Sequence, residues 1–327
     1  EGLGLRPIAE LTDEPEVYTW ETHAGLEGGT LFVLHLDVPL PLELPHSRFR
    51  REPEWLYGEG VGSSRAPLVM LEFALRTLRA SRQLRARRIG VLAYTDEGRD
   101  ARHSAPLIQA AAGEATRVFV LRPGNVGNFV VTNRRGYRRY RLVVEGDGHR
   151  VGRGGRGPEP FRWASERLER CALLSTRKER TSVSTAELRT EALPMRLPHR
   201  VHATLLSTFP TSERAEQLEQ EIRSILGRTG PRWKLELISD RPPMPERRGA
   251  RSLWKDVEAV AHTWEIPVKR EGSAWPSVAG LVPIEKPVLC GFGPVARDLR
   301  TPDESVWRLS VMQRTLLLAE LLAREAG

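Results

Sequence analysis

The sequence predicts an α/β fold in which a mixed, mostly parallel layered sheet carries an inserted ferredoxin-like domain. The first observation is that short apolar runs alternate with segments of helical periodicity in residues 1–134 and again in residues 241–327. The second is that residues 135–240 follow a βαββαβ order, which is the split ferredoxin-like unit. We therefore expect one domain built from residues 1–134 and 241–327, with residues 135–240 inserted into it.

The amino-terminal part contains alternating predicted strands and helices. The strands cover residues 17–23, 30–36, 89–94 and 117–121, each rich in apolar or β-branched side chains. A glycine turn within residues 55–67 leads into a helix, and a shorter helix covers residues 105–112. The apolar positions of the first helix recur at helical spacing and are Leu68, Leu71, Phe73, Ala74, Leu75 and Leu78. This order places the residues that follow each strand at one edge of a parallel sheet.

The insertion and the carboxyl-terminal part continue this pattern. In the insertion we expect strands at residues 137–145, 184–192, 201–209 and 232–238, and helices at residues 160–174 and 212–226. Ser212 is predicted to cap the second of these helices, and the proline-rich residues 240–245 predict a hinge. A helix at 252–264, a strand at 287–290 and a closing helix at 303–325 should follow. The closing helix is expected to bury Val306, Leu309, Leu316, Leu317, Leu321 and Leu322.

Composition places this chain of 327 residues among globular proteins, with 40% hydrophobic and 28% charged residues. No apolar run reaches the length of a membrane span and no secretory signal is visible. Cys171 and Cys290 are too far apart in sequence to suggest a disulfide framework, so we expect a reducing, cytoplasmic location. The net charge is +8, but the basic residues are scattered without a recognition motif, so nucleic acid is not expected as a partner.

The candidate site begins at His35-Leu36-Asp37, directly after the apolar run 30–34. A histidine and an aspartate two residues apart on a strand share one face of the sheet. Such a pair can supply a metal ligand and the carboxylate that orients it. The alternative is a buried strand that simply ends in polar residues.

Seven short motifs occur in order along nearly the whole chain: His35-Leu-Asp37, Leu56-Tyr-Gly-Glu-Gly60, Thr95-Asp-Glu97, Arg135-Gly136, Gly146-Asp-Gly-His149, Gly291-Phe-Gly-Pro294 and Thr301-Pro-Asp-Glu304. Together they resemble the M20 family of dinuclear-zinc peptidases and aminoacylases, which includes glutamate carboxypeptidase, acetylornithine deacetylase and succinyl-diaminopimelate desuccinylase. The resemblance implies a catalytic-type domain with an inserted lid or dimerisation domain. One departure is that only 34 residues precede His35, fewer than is usual in that family.

The resemblance also implies a chemistry. In the M20 family two zinc ions, held by two histidines and three carboxylates, lower the pKa of a bridging water. A glutamate takes the proton of that water as it attacks an amide carbonyl. By motif position His35 matches the first zinc ligand, Asp37 matches its orienting partner, and Glu97 matches the general base.

The other four ligand positions of that family fall on residues that are poor zinc ligands. The bridging aspartate falls on Ser63, the second glutamate of the Asp-Glu-Glu motif on Gly98, a further carboxylate on Arg122 and the late histidine on Arg300. His35 is then the single surviving ligand. Since zinc sites need three or four good ligands, we expect no zinc and no other cofactor in this chain.

Positions in the predicted lid that match substrate-binding residues of the family are also altered. Met195 stands where an asparagine is usual, and Thr208 stands where an arginine is usual. His149 is retained, and in the family this residue can reach a substrate carbonyl across a dimer. The alternative is that His149 is an exposed turn histidine of the glycine-rich loop 146–157.

Three functional hypotheses follow. In the first, Arg122 and Arg300 neutralise Asp37 and Glu97 as a salt-bridged cluster, and the chain is a non-hydrolysing binding or scaffold subunit. Such a subunit would pair through the inserted domain with itself or with an active relative. In the second, the same arginines bind a small anionic or peptide-like ligand, with His149 contributing.

The third hypothesis keeps catalysis. An amidohydrolase, peptidase or acyltransferase acting on an N-acyl amino acid or a peptide would need a rebuilt, metal-poor site. Glu97 with His35 or Ser63 could then support acyl transfer without a metal. Ser63, His35 and Asp37 supply the residue types of a Ser-His-Asp triad, although Ser63 also has the character of a drifted ligand position.

Overall fold

The computed structural model describes residues 2–8, 17–40, 47–124, 126–152, 158–191 and 194–324. Contacts divide the chain into two compact units. The larger unit comprises Glu1–Asn133, Glu246–Ser273 and Ser277–Gly327, and the smaller unit comprises Arg134–Pro245 with Ala274–Pro276. Parts of the predicted loops at 39–54 and 146–157, together with Glu325 of the predicted closing helix, lie outside the described residues.

The secondary structure alternates in the way that the sequence predicts for most of its length. The strands in chain order are β1 (Arg6–Pro7), β2 (Val17–Glu21), β3 (Thr30–His35), β4 (Arg50–Arg51), β5 (Trp55–Tyr57), β6 (Ile89–Tyr94), β7 (Arg117–Val120), β8 (Phe129–Arg134), β9 (Gly136–Glu145), β10 (Ser182–Thr190), β11 (Arg200–Phe209), β12 (Arg232–Arg241), β13 (Lys269–Ser273), β14 (Val288–Leu289), β15 (Ala296–Arg297) and β16 (Ser305–Trp307). The α-helices are α1 (Ala66–Ala80), α2 (Ala105–Glu114), α3 (Pro160–Ala172), α4 (Ser212–Leu226), α5 (Arg248–Thr263) and α6 (Arg308–Ala323).

The central sheet of the larger unit is mixed and mostly parallel, as predicted. Its described strands lie in the order β1-β2-β6-β3-β7-β14. β3 runs parallel to both β6 and β7, and β14 runs parallel to β7. β2 is antiparallel to β6, and β1 is antiparallel to β2. All six residues of β3 and of β6 are buried, which is expected of strands covered on both faces.

Helices α1, α5 and α6 contribute the apolar side chains that pack with this sheet in one core. Leu71, Ala74, Leu75 and Leu78 of α1 belong to that core, so the predicted helical stripe is correct for these positions. Leu68 and Phe73 were predicted on the same stripe but are exposed. The prediction is wrong there because these two residues lie on the side of the helix that faces away from the core.

The sequence patterns missed several short or polar strands. Trp55–Tyr57, predicted as part of a glycine turn, is strand β5 and pairs with β16, which was predicted as the start of the closing helix. The helix therefore begins at Arg308 rather than at residue 303, and its Leu309 is exposed. A strand of two or three residues has too few side chains to show periodicity.

The smaller unit has the ferredoxin-like topology. Its four strands lie in the order β10-β11-β9-β12, and every pair is antiparallel. Helices α3 and α4 pack on this sheet around a separate apolar core that includes Tyr140, Trp163 and Leu218. The predicted cap of α4 is wrong by one residue, because Thr211 is the N-cap and its Oγ1 accepts a hydrogen bond from Arg214 N at 3.2 Å.

No helix within the described ranges is long and apolar enough to cross a membrane.

Candidate active site

The sequence-predicted site residues of the larger unit converge at the carboxyl edge of the central sheet. His35 is the last residue of β3 and lies opposite Tyr94, the last residue of β6. Glu97 follows β6 by three residues and Arg122 follows β7 by two. Because β6, β3 and β7 are parallel neighbours, their carboxyl ends deliver these side chains to one place.

His35 and Asp37 interact, but not as a simple ion pair. The His35 side chain is buried, and its Nδ1 lies 2.9 Å from the backbone oxygen of Asp37 and 3.5 Å from Asp37 Oδ1. Asp37 accepts backbone hydrogen bonds from Gly98 N at 2.9 Å and from Glu97 N at 3.3 Å. Burial acts to raise the pKa of Asp37, but His35 and the two amides outweigh it and lower this pKa below its ordinary value.

Glu97 is the centre of the site, and its side chain is fully buried. Its Oε1 accepts a hydrogen bond from Arg122 Nη1 at 3.1 Å and a second one from Arg300 Nη2. Its Oε2 accepts a hydrogen bond from the Tyr94 hydroxyl at 2.9 Å. Two guanidinium groups thus form ion pairs with one buried carboxylate. These pairs compensate the carboxylate for the loss of its hydration on burial.

The two arginines differ in their exposure to solvent. The side chain of Arg122 is 10% exposed, whereas that of Arg300 is 35% exposed. Arg300 also adopts a positive φ of 63°, which is uncommon for a residue with a side chain. Both arginines pair with Glu97 as predicted, but Asp37 interacts with two backbone amides and His35 rather than with a guanidinium group.

Sequence reasoning missed the structural role of Glu304. This residue is fully buried, and its Oε1 accepts hydrogen bonds from Gly62 N at 2.9 Å and Ser63 N at 2.7 Å. Its Oε2 accepts one from Arg300 N at 3.0 Å. Glu304 therefore ties the π-helical turn Val61–Arg65 to the segment that carries Arg300. Its place in the Thr-Pro-Asp-Glu motif was the only signal in the sequence.

Ser63 does not form a triad with His35 and Asp37. Its hydroxyl is buried and has no hydrogen-bond partner among the described residues. The neighbouring Ser64 hydroxyl instead donates to the backbone oxygen of Leu36 at 3.0 Å. A Ser-His-Asp triad requires a hydrogen bond between the serine and the histidine, so the described geometry lacks the first contact of that mechanism.

The three predicted lid residues belong to the smaller unit. His149 is 7% exposed, so the expectation of an exposed turn histidine is wrong. Its backbone oxygen accepts a hydrogen bond from Leu197 N at 2.8 Å, which holds the loop against the following segment. Met195 is exposed, and Thr208 hydrogen-bonds through its hydroxyl to Ser182 on the neighbouring strand at 2.7 Å.

The side chains of the site do not fit a pair of zinc ions. The described part of the chain contains no group of three or more His, Cys, Asp or Glu side chains that could hold a metal ion. The one imidazole is accompanied by a serine, a glycine and two guanidinium groups that are bonded to Glu97. Guanidinium groups repel cations, and zinc requires three or four nitrogen, sulfur or oxygen ligands.

No protein-family model and no curated protein matches this sequence. Solved structures do match its fold. A tripeptidase from Staphylococcus aureus aligns over 99% of this chain and 90% of its own, with a TM-score of 0.73 and 12% identity. An M20 family metallo-carboxypeptidase from Sulfolobus solfataricus aligns over 94% of this chain and 87% of its own, with a TM-score of 0.72 and 14% identity.

A third structure is a dinuclear metal-binding peptidase of the M20 family from Bacillus subtilis. It aligns over 98% of this chain and 88% of its own, with a TM-score of 0.62 and 11% identity. At such low identity these matches establish the fold and leave the chemistry to the residues of the site.

Proposed function

We propose that this chain, which has the fold of the M20 peptidases, is a non-hydrolysing binding or scaffold protein. A salt-bridged cluster of Glu97, Arg122 and Arg300 takes the place of the zinc centre. The observation that carries the proposal is that Oε1 of Glu97 accepts hydrogen bonds from both guanidinium groups. Glu97 is engaged by two guanidinium groups, and the predicted ligand positions apart from His35 carry no metal-binding side chain. Both features support a binding protein rather than an enzyme of metal-assisted hydrolysis.

Metal content tests this proposal directly. Purified protein is incubated with excess zinc, cobalt or manganese, desalted and analysed for bound metal, and then assayed against dipeptides and N-acyl amino acids. We expect well under about one metal ion per chain and no amide hydrolysis, because too few ligands are present. Close to two zinc ions per chain, or hydrolysis that depends on added metal, would refute the proposal.

A matched control restores the ligand types of the family at the four replaced positions, in the variant Ser63→Asp, Gly98→Glu, Arg122→Glu, Arg300→His. This variant is expected to bind more zinc than the native chain. Gly98 leaves little room for a side chain, because an added Cβ would lie 3.1 Å from Pro39 Cβ. A version that leaves Gly98 unchanged therefore accompanies it, and thermal unfolding confirms that both variants are folded.

Binding of a small anion at the same cluster is a second candidate function. The observation that favours it is the exposed part of Arg300, whose guanidinium group both contacts Glu97 and reaches solvent. An acyl amino acid or short peptide could present its carboxylate there. Thermal-shift measurements with a panel of such ligands test this, and an Arg300→Met variant that responds as the native chain does would exclude Arg300 from binding.

We further propose that the chain pairs through its ferredoxin-like unit, either with a second copy or with an active relative. The edge strand β10 supports this, because most of its residues are exposed and, within the described part of the chain, it is paired on one side only, with β11. An exposed edge strand presents backbone groups that another strand can pair with.

A further inference from the structure

A basic cavity of about 480 Å³ lies in the larger unit, away from the candidate site. Thr22, which lines it, directly follows β2. β2 runs antiparallel to β6, and Glu21 at its end pairs with Gly90 near the start of β6. The cavity therefore lies at the amino edge of the parallel strands, whereas Glu97 and its arginines lie at the carboxyl edge.

Arginine side chains and apolar side chains both line this cavity. The residues that matter here are Arg79, Arg82, Arg85, Leu3, Leu5 and Leu84. No carboxylate is among the described residues that line it. The side chains of Arg82 and Arg85 make no hydrogen bond or ion pair with any described residue, and Arg79 donates to the backbone oxygen of Gly2.

The backbone at Arg82 adds an independent observation. Helix α1 ends at Ala80, and the chain reverses through Arg82, which has a φ of 60°. Arg82 N donates to Arg79 O at 3.0 Å, and Gln83 N donates to Leu78 O at 2.8 Å. Glycine is the preferred residue at such a left-handed position after a helix, and any other side chain lowers stability. An arginine here is therefore placed at a cost to folding, which points to a use for its guanidinium group.

We propose that this cavity binds a phosphorylated organic anion. The phosphate groups lie against Arg79, Arg82 and Arg85, because guanidinium groups bind phosphate oxygens in pairs through two parallel N–H donors. The organic part lies against the leucine side chains, as is usual for small-molecule sites that combine apolar surface with a few charged groups. This site is independent of the function proposed for the Glu97 cluster.

Isothermal titration calorimetry of the full chain tests the proposal with two probes, inorganic pyrophosphate and ATP, at low ionic strength without added metal. Both probes are expected to bind. ATP is expected to bind at least about tenfold more tightly than pyrophosphate, because its adenosine part covers the leucine side chains. Absence of ATP binding, or equal affinities for the two probes, overturns the proposal.

Three variants separate binding from folding and from net charge. Arg82→Gly is expected to raise the melting temperature, because glycine suits the left-handed backbone, yet to weaken ATP binding about tenfold or more. Arg85→Gln should weaken binding similarly. Arg76→Gln also removes one positive charge, from a position on α1 one turn before Arg79. Arg76 is bonded to Glu72 outside the cavity, so this variant should leave binding unchanged. Equal weakening by Arg85→Gln and Arg76→Gln would show only nonspecific attraction and overturns the proposal.

Discussion

At the residue scale, two carboxylates of the candidate site have different kinds of hydrogen-bond donors. Glu97 is fully buried and is held by the side chains of Arg122, Arg300 and Tyr94. Asp37 is partly exposed and accepts the backbone amides of Glu97 and Gly98. A buried carboxylate requires ionic partners, whereas one near the surface is satisfied by amides and water. The buried carboxylate of Glu97 therefore requires positively charged partners at the centre of the site, and Arg122 and Arg300 supply them.

The free energy of unfolding is expected to depend strongly on Glu97. Glu97→Ala removes the carboxylate that pairs with both guanidinium groups, including that of the mostly buried Arg122, so we expect a loss of about 3 kcal/mol in urea denaturation. The control is the triple variant Glu97→Ala, Arg122→Met, Arg300→Met, which removes all three charges and should lose less. A loss below about 0.5 kcal/mol for Glu97→Ala would mean that the cluster contributes little.

At the element scale, strand ends and helix starts position the functional groups. Strand β3 brings His35 to the sheet edge, and the turn Val61–Arg65 brings in Ser63 where Glu304 holds its amide. The start of helix α4 is determined by the backbone conformation of a single residue. The sequence predicts Ser212 as the cap, but the extended backbone of Thr211, with φ −138° and ψ 159°, makes Thr211 the N-cap.

Capping predicts a difference between two neighbouring substitutions. Thr211→Ala removes the oxygen that accepts a hydrogen bond from Arg214 N, so we expect it to lower the free energy of unfolding by about 1 kcal/mol. Ser212→Ala, in the first turn of the same helix, is expected to change it by less than about 0.5 kcal/mol. Chemical denaturation of both variants measures the difference, and a larger loss for Ser212→Ala would contradict the assignment.

At the scale of the whole molecule, each of the two compact units has an apolar core of its own. The sheet of the smaller unit ends in β10 at one edge and in β12 at the other. Leu188 on β10 and Leu237 on β12 are both exposed, at 39% and 42%. Edge strands with exposed apolar residues favour association unless charges protect them.

Pairing through β10 predicts the mass of the particle in solution. Light scattering on the purified chain should give twice the chain mass of 36.8 kDa. Leu188→Lys places a charge on the β10 edge and should shift the protein towards a monomer, whereas Leu237→Lys on the opposite edge should leave the dimer intact. A monomer for the native chain excludes self-pairing, and equal effects of both variants exclude β10 as the specific edge.

The sequence determined most of the fold. Apolar runs and helical spacing identified β3, β6 and α4 correctly, because each is long enough to show its period in the side chains it buries. The βαββαβ order of elements predicted the ferredoxin-like insertion, because each strand and helix of that unit is long enough to be recognised from its periodicity. The short strands β5 and β16 could not be predicted, because each has only three residues and forms by pairing with strands far away in the sequence, including with each other.

Only the tertiary structure decided the chemistry of the candidate site. The resemblance predicted that two arginines stand at ligand positions of the M20 family, but it could not show their contact with Glu97, which lies 203 residues from Arg300 in the sequence. Glu304 reaches amides more than 240 residues away, and no periodicity reports such a contact. Local patterns indicate which elements form, because the spacing of apolar side chains shows the face that each element buries. The pairing of charges depends on which strand ends meet, and that is a property of the folded sheet alone.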